Sequence, residues 1–242
     1  MGDRRRNIGQ ERMDSDAFSR QDAIDTFRYL TPVNRLFGGI RPVISFLKRE
    51  SRSWSRGQVY HILDAGCGAG DVAVAIARWA RRNNHRIEID AVDDHQPTLE
   101  LARDRCAGYP EIHPHHGDVF SQTENRYDYV HASQFLHHFP DAEVPAVLGA
   151  LREMSNRRLL VNDLIYAPLH YLATWALTLF TSSVFRHDAR LSVRRGFQID
   201  SLEQLLRRHD LNDYRIEKHF LYRVLLIMDG TSHTPIEGVT PQ

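Results

Sequence analysis

The stretch H-I-L-D-A-G-C-G-A-G-D, His61–Asp71, decides the fold. An apolar run ends in an acid, Asp64, and glycines follow at alternate positions, Gly66, Gly68 and Gly70. From Val72 to Trp79 apolar residues recur at helical spacing. This is a strand, a tight turn and a helix start, with the turn stripped of side chains. Glycine reaches positive φ without steric cost and lets the backbone approach a bound ligand closely. The dinucleotide fingerprint G-x-G-x-x-G is not met, because Gly68 is followed by Ala69, Gly70 and Asp71.

Outward from this turn the chain alternates strand and helix. Val59–Leu63 is the strand before the turn. Ile87–Asp93 alternates apolar and acidic residues with period two, and Pro97–Cys106 reads as a helix. Tyr127–Ser133 is another strand. Val144, Val147, Leu148, Leu151 and Met154 mark one helix face, with Pro140–Asp141 at its start. Arg158–Leu164 carries a buried-strand run, and Ser201–Arg208 is a short amphipathic helix with Asp200 or Ser201 as its cap. Tyr214–Phe220 and Arg223–Met228 read as two strands around a tight Leu221–Tyr222 connection. Strands separated by helices imply right-handed crossovers and a mainly parallel sheet.

The alternating glycines after an acid, the acid at the end of the second strand, Gly117–Asp118–Val119 and the run Tyr127–Phe139 together resemble class I S-adenosylmethionine-dependent methyltransferases. The segment from Val161–Leu164 through Arg186–Phe197 is similar to their ubiquinone-biosynthesis-type small-molecule subgroup, associated with polyketide and other secondary metabolism. The resemblance implies an α/β, Rossmann-like seven-stranded sheet, mostly parallel with an antiparallel last strand, helices on both faces and a helical cap. Polar composition reads 1–16 and 230–242 as disordered tails; with the resemblance, the rest divides into a cap at 17–57 and a methyltransferase domain at 58–229 with an apolar lid insertion at 165–197.

The resemblance further implies S-adenosylmethionine as cofactor, with S-adenosylhomocysteine as product. Asp64 would favour the ligand's ammonium, and Gly66, Gly68 and Gly70 would admit it to the backbone. The ribose acid is Asp93 counting back ten residues from Arg103, or Asp94 judged by its spacing to Pro97. Asp118 would accept from the adenine amino group, with Val119 and Phe120 flanking the ring. Ala132, Ser133 and Gln134 would lie under the methionine moiety. Each acid also has a plainer reading as a turn residue that satisfies backbone N–H groups.

The substrate side begins at Asn162–Asp163–Leu164. Ile165–Phe185 then runs without a single Lys, Arg, Asp or Glu. Its length falls near the lower edge for a membrane span, and it contains Pro168 and His170, so a buried helix or an apolar lid is the first expectation. Transient membrane-surface contact through 165–185 is the second. Methyl transfer needs a base only if the acceptor must lose a proton. Among 14 histidines, His187 is the first candidate, beside Asp188 and the nearby arginines, and His137 or His138 the second. Adjacent histidines after a strand also serve simply to pack and to hydrogen-bond. His113-Pro-His115-His116 reads as a solvated loop, and no metal is expected.

Composition bounds the function classes. Lys+Arg and Asp+Glu stand at 31 each in 242 residues, so no global field draws a polyanion and no specific nucleic-acid partner is expected. Two cysteines offer no disulfide framework and suit a reducing, cytoplasmic setting. The first residues carry Arg4–Arg6 without an apolar core, unlike a signal peptide. The leading expectation is methyl transfer to a small aromatic or polyketide-like acceptor at a phenolic or enolic oxygen. Alternatives are a protein or RNA methyltransferase and a non-catalytic S-adenosylmethionine-binding module.

Overall fold

The computed structural model of the protein describes residues 6, 9, 11–15, 17–36, 38–122 and 126–231. Seven strands, β1 (Val59–Ala65), β2 (Arg86–Asp93), β3 (Ile112–His116), β4 (Tyr127–Ser133), β5 (Ser155–Leu164), β6 (Tyr214–His219) and β7 (Arg223–Asp229), form one sheet in the order β3-β2-β1-β4-β5-β7-β6. β1 to β5 pair in parallel, whereas β7 is antiparallel to both β5 and β6. The turn into β7 places Leu221 and Tyr222 at φ +60° and +59°, the left-handed twist that a tight hairpin demands.

Eight α-helices are described: α1 (Arg20–Leu36), α2 (Arg41–Glu50), α3 (Asp71–Arg82), α4 (Gln96–Cys106), α5 (Val144–Glu153), α6 (Pro168–Leu177), α7 (Ser183–Arg195) and α8 (Ile199–Arg208). Two apolar clusters cover the two sheet faces. One gathers Phe46, Trp54, Ile76 and Trp79 from α2, α3 and the segment before β1; the other gathers Leu148, Leu151, Leu202 and Leu206 from α5 and α8. This is the doubly covered sheet that the alternating pattern implies.

The cap helix α1 runs through Pro32, and the break after it falls at Gly38, where φ is +85°. Three local expectations change. The histidine-rich segment is not a loop but strand β3 itself. An edge strand tolerates Pro114 and exposed polar side chains, and His113 and His115 reach Glu88 and Asp90 on β2 at 2.8 and 3.4 Å. α8 starts earlier than read, with Gln198 at its cap and no side-chain cap bond, so neither Asp200 nor Ser201 caps it. The run Ile165–Phe185 is not a buried helix: α6 buries none of its residues, because it packs mainly against α7.

Of the two expected tails, residues 1–5, 7, 8, 10, 16 and 232–242 lie outside the described residues. The described part of 1–16 makes specific contacts, which corrects the tail reading there. Glu11 is buried, and the backbone N–H groups of Arg12 and Met13 donate to the Asp188 carboxylate at 2.9 and 3.1 Å. Polar composition misled because this segment is held by buried ion pairs rather than by apolar area.

Candidate active site

Parallel pairing in register brings the carboxyl ends of β1, β2, β4 and β5 to one edge: Ala65 lies opposite Val92 and Ala132, and Ser133 opposite Asn162. β1 and β4 are neighbours across the point where the chain changes direction in the sheet, and open α/β sheets bind ligands in that crevice. The glycine turn sits there. Gly66, Gly68 and Gly70 have φ of +64°, +54° and +75°, and Gly70 leads into α3. Asp93 closes β2 and accepts from the Gly68 N–H at 2.8 Å and the His95 N–H at 3.0 Å. Burial pushes the Asp93 carboxyl above its usual range, against those two donors.

Asp64 is buried at the end of β1. One carboxylate oxygen pairs with His131 Nδ1 at 2.9 Å; the other has no hydrogen-bond partner among the described residues. A buried carboxylate oxygen left this way is costly unless a donor arrives. A ligand ammonium beside the turn fits it. Asp94 and Asp118 are exposed, and Asp118 accepts from the Phe120 N–H at 2.9 Å, as a turn acid does. Val119 is buried, and Ser133 accepts from Asn162 Nδ2 at 3.4 Å.

The helical cap closes over this edge. The Phe27 ring of α1 lies 3.4 Å from where a Cβ on Gly68 would stand, and the Phe135 ring 2.5 Å from one on Gly66. Thr31 donates to Asp71 at 2.8 Å, and Asp71 also pairs with Arg105. Gln134 bridges cap and sheet: its Nε2 donates to Asn34 Oδ1 at 2.7 Å, and its Oε1 accepts from Arg223 at 3.3 Å. Asn162 Nδ2 donates to the Gly39 carbonyl at 2.7 Å.

Gly66→Ala is therefore expected to lose more stability than Gly57→Ala. Both positions have positive φ, costing about 1–2 kcal/mol for a Cβ. Only at Gly66 does the new atom also strike a ring; at Gly57 nothing lies within 4 Å. Urea unfolding of both variants checks this, and equal losses would sink the close-approach argument.

A second cluster lies at the ends of β4 and β5. His137 Nδ1 bonds Asp163 at 2.7 Å, and Asp163 also accepts the backbone N–H of His137 at 3.1 Å and its own neighbour Leu164 at 2.7 Å. His137 Nε2 faces Glu11 at 3.7 Å. Glu11 in turn accepts from Arg195 at 3.0 Å and Ser192 at 2.8 Å. Burial opposes charge on His137, but the two carboxylates outweigh it and hold the imidazole up to about 9. Burial likewise opposes charge on Glu11, yet the close approach of His137 and the charges of His138 and His137 bring it down to about 2. Arg223, buried nearby, is pushed down to about 10 by burial, with Asp163 opposing.

The remaining candidates divide. His138 is half-buried, with Nδ1 3.2 Å from Arg195. His187 is not beneath a lid: it is exposed on α7, bonded to Asp188 at 2.9 Å. Ligand atoms of Glu11, His137 and His138 all lie within 4.8 Å of one another, a set with metal-ligand chemistry. The Arg195 guanidinium bonds both Glu11 and His138, however, and so already sets a positive charge among them. Glu11, Asp163 and Arg195 were not singled out as a group by sequence spacing, because they converge from three distant segments.

Residues 62–157 match the family model of a methyltransferase domain. No curated protein matches the sequence. Among solved structures, the chain is similar to the plantazolicin methyltransferase BpumL in complex with SAH, at 15% identity and TM-score 0.65, covering 90% of this chain and 92% of that one. It is similar to the magnesium protoporphyrin IX methyltransferase of Synechocystis PCC 6803 with bound SAH, at 16% identity and TM-score 0.56, covering 91% and 92%. It also resembles the CMeT domain of the citrinin polyketide synthase, at 13% identity and TM-score 0.60; 80% of this chain is covered, but it spans only 52% of that chain. At these identities the likeness is one of fold.

Proposed function

We propose that this chain, which carries a methyltransferase domain at residues 62–157, transfers the methyl group of S-adenosylmethionine to a small aromatic or polyketide-like acceptor at a phenolic or enolic oxygen. The observation that carries the reading is the glycine turn: three positive-φ glycines at the crevice, tied by Gly68 to Asp93, beside the half-satisfied Asp64. When bound, the cofactor supplies an activated methyl group on a sulfonium. Asp64 would receive its ammonium, the turn backbone would meet its methionine end, Asp93 or Asp94 would take the ribose hydroxyls, and Asp118 with Val119 would take the adenine. Ser133 would serve the methionine side.

Of the three histidines, His137 is the base favoured by its surroundings. Asp163 fixes its Nδ1, and Nε2 forms no hydrogen bond among the described residues, so Nε2 is the nitrogen that takes the acceptor proton. Arg195 and Arg223 bring buried positive charge to the same end of the sheet, which favours an acceptor oxygen that becomes anionic. The cap excludes water from the crevice and holds the reacting groups in line. His187 and His138 are left as contacts at the margin.

Isothermal titration with S-adenosylmethionine and with S-adenosylhomocysteine tests the cofactor reading. Wild type is expected to bind both, and Asp93→Ala to weaken each at least about tenfold, the effect of losing one charge-assisted contact. A folded wild type that binds neither overturns it. Product mass from phenolic and polyketide acceptors then tests the acceptor class.

A further inference from the structure

Eight large apolar side chains are exposed among the described residues, and six of them lie within one short stretch: Leu169, Leu172, Trp175, Leu177, Leu179 and Phe180. Phe180 is 95% exposed. The stretch belongs to α6 and the turn after it, inside the uncharged run Ile165–Phe185. An apolar patch this concentrated is a contact surface rather than ordinary scatter.

What flanks the patch says what it meets. Arg186, Arg190 and Arg194 stand four residues apart on α7, so they share one helical face. That face borders α6. The Arg190 guanidinium lies over the Trp175 ring at 5.2 Å and donates to the Trp175 carbonyl at 3.0 Å; Arg194 lies over Tyr171 at 4.8 Å; Arg186 donates to the Thr181 carbonyl at 2.8 Å. Arg186 and Arg190 hold no ion pair among the described residues. The one acid of α7, Asp188, is buried and taken up by Arg12, Met13 and His187. The seam therefore offers guanidinium groups and aromatic rings beside exposed leucines. Aromatic and basic residues favour the headgroup level, and leucine and phenylalanine the acyl boundary beneath it.

We propose that α6 and the arginine face of α7 form a docking surface for a bilayer carrying anionic lipid. The protein lies on the surface and does not span it, since no helix among the described residues is long and apolar enough to cross. A protein partner would have to match this apolar stretch with its own, whereas a bilayer supplies the phosphate oxygens and the apolar layer at adjoining depths. α7 also packs on the cap helix α1, where Phe185 stacks on Tyr29 at 5.4 Å, so docking would bring the cap close to the lipid source of any apolar acceptor.

The test is co-sedimentation of the full chain with vesicles of phosphatidylcholine containing phosphatidylglycerol, against vesicles of phosphatidylcholine alone. Trp175 reports insertion, being exposed where Trp54 and Trp79 are buried. The expected result is binding at least about tenfold tighter to the anionic vesicles, a blue shift of tryptophan emission, and loss of both in high salt. The double variant L172E/F180E should lose binding and blue shift while keeping its thermal transition, because both side chains stand in solvent. R190Q should weaken only the anionic preference. No sedimentation overturns the proposal. So does equal binding to both vesicle types, or concentration-dependent dimerisation that L172E/F180E abolishes without any vesicle binding, which would assign the patch to a second copy of the chain. Cofactor titration on the same samples reads the methyltransferase assignment separately.

Discussion

Asp163→Ala is expected to cost about 3–5 kcal/mol of folding stability, the loss seen when one partner of a buried ion pair is removed. Asp163 sits at the end of β5, 1% exposed, and accepts three hydrogen bonds, two of them from His137. Removing it strands an imidazolium and two N–H donors in a buried site. Turnover should fall by about 10²–10⁴, the range for a positioned acid–base group, because His137 loses both orientation and basicity. Urea unfolding with initial-rate assays checks both halves. An unchanged midpoint would show that the network contributes nothing, and unchanged turnover in a destabilised variant would remove His137 from the reaction.

The same network fixes the pH range of that stability. His137 is raised from 6.5 to about 9, so its contribution is complete below 6.5 and fades as pH rises through 9. Glu11 is lowered from 4.5 to about 2, so its contribution is complete above 4.5 and fades as pH falls through 2. Both act fully between about 4.5 and 6.5.

Glu11→Gln is expected to move the rate profile of methyl transfer to lower pH. His137 accepts a proton only when neutral. With carboxylates at both nitrogens it is neutral only above about 9, so the wild-type rate should climb through neutral pH and level off near that value. Glutamine keeps the shape of Glu11 but removes its charge, while Arg195 stays. Each unit by which the limb moves down raises the rate at pH 7 about tenfold. Initial rates across pH 6–10 with saturating acceptor decide the matter (roughly the window where a histidine so placed titrates). A flat wild-type profile, or a limb that Glu11→Gln leaves in place, would exclude His137 as the base.

Much of this protein is legible in its sequence because the signals are local. The apolar runs of β1 and β5, the alternation of β2, the helical spacing of α3 and α5, and the glycine triplet all act within one or two elements. They suffice for a mostly parallel sheet, since crossover chirality leaves few other arrangements; the reversal of β7 is implied by the family resemblance. The glycines had to be glycine for a reason that pairs local and tertiary causes: positive φ is a property of the turn, but the ring that forbids a Cβ at Gly66 comes from Phe135, far along the chain.

What tertiary structure alone decided is how distant polar residues meet. A polar N-terminal segment looks like a tail by composition, yet Glu11 is buried between Arg195 and His137 because the ion pairs, not apolar area, hold it there. An uncharged run looks like buried core, yet α6 stands in solvent because, among the described residues, α7 alone packs closely on it. His187 and His137 each have an acid as partner, one beside it in sequence and one brought from the next strand. Only the fold leaves the first imidazole exposed, on a buried acid, and buries the second with its partner. Sequence determined which elements form and the edge at which they converge; burial and long-range pairing determined which of the residues there carry a shifted charge.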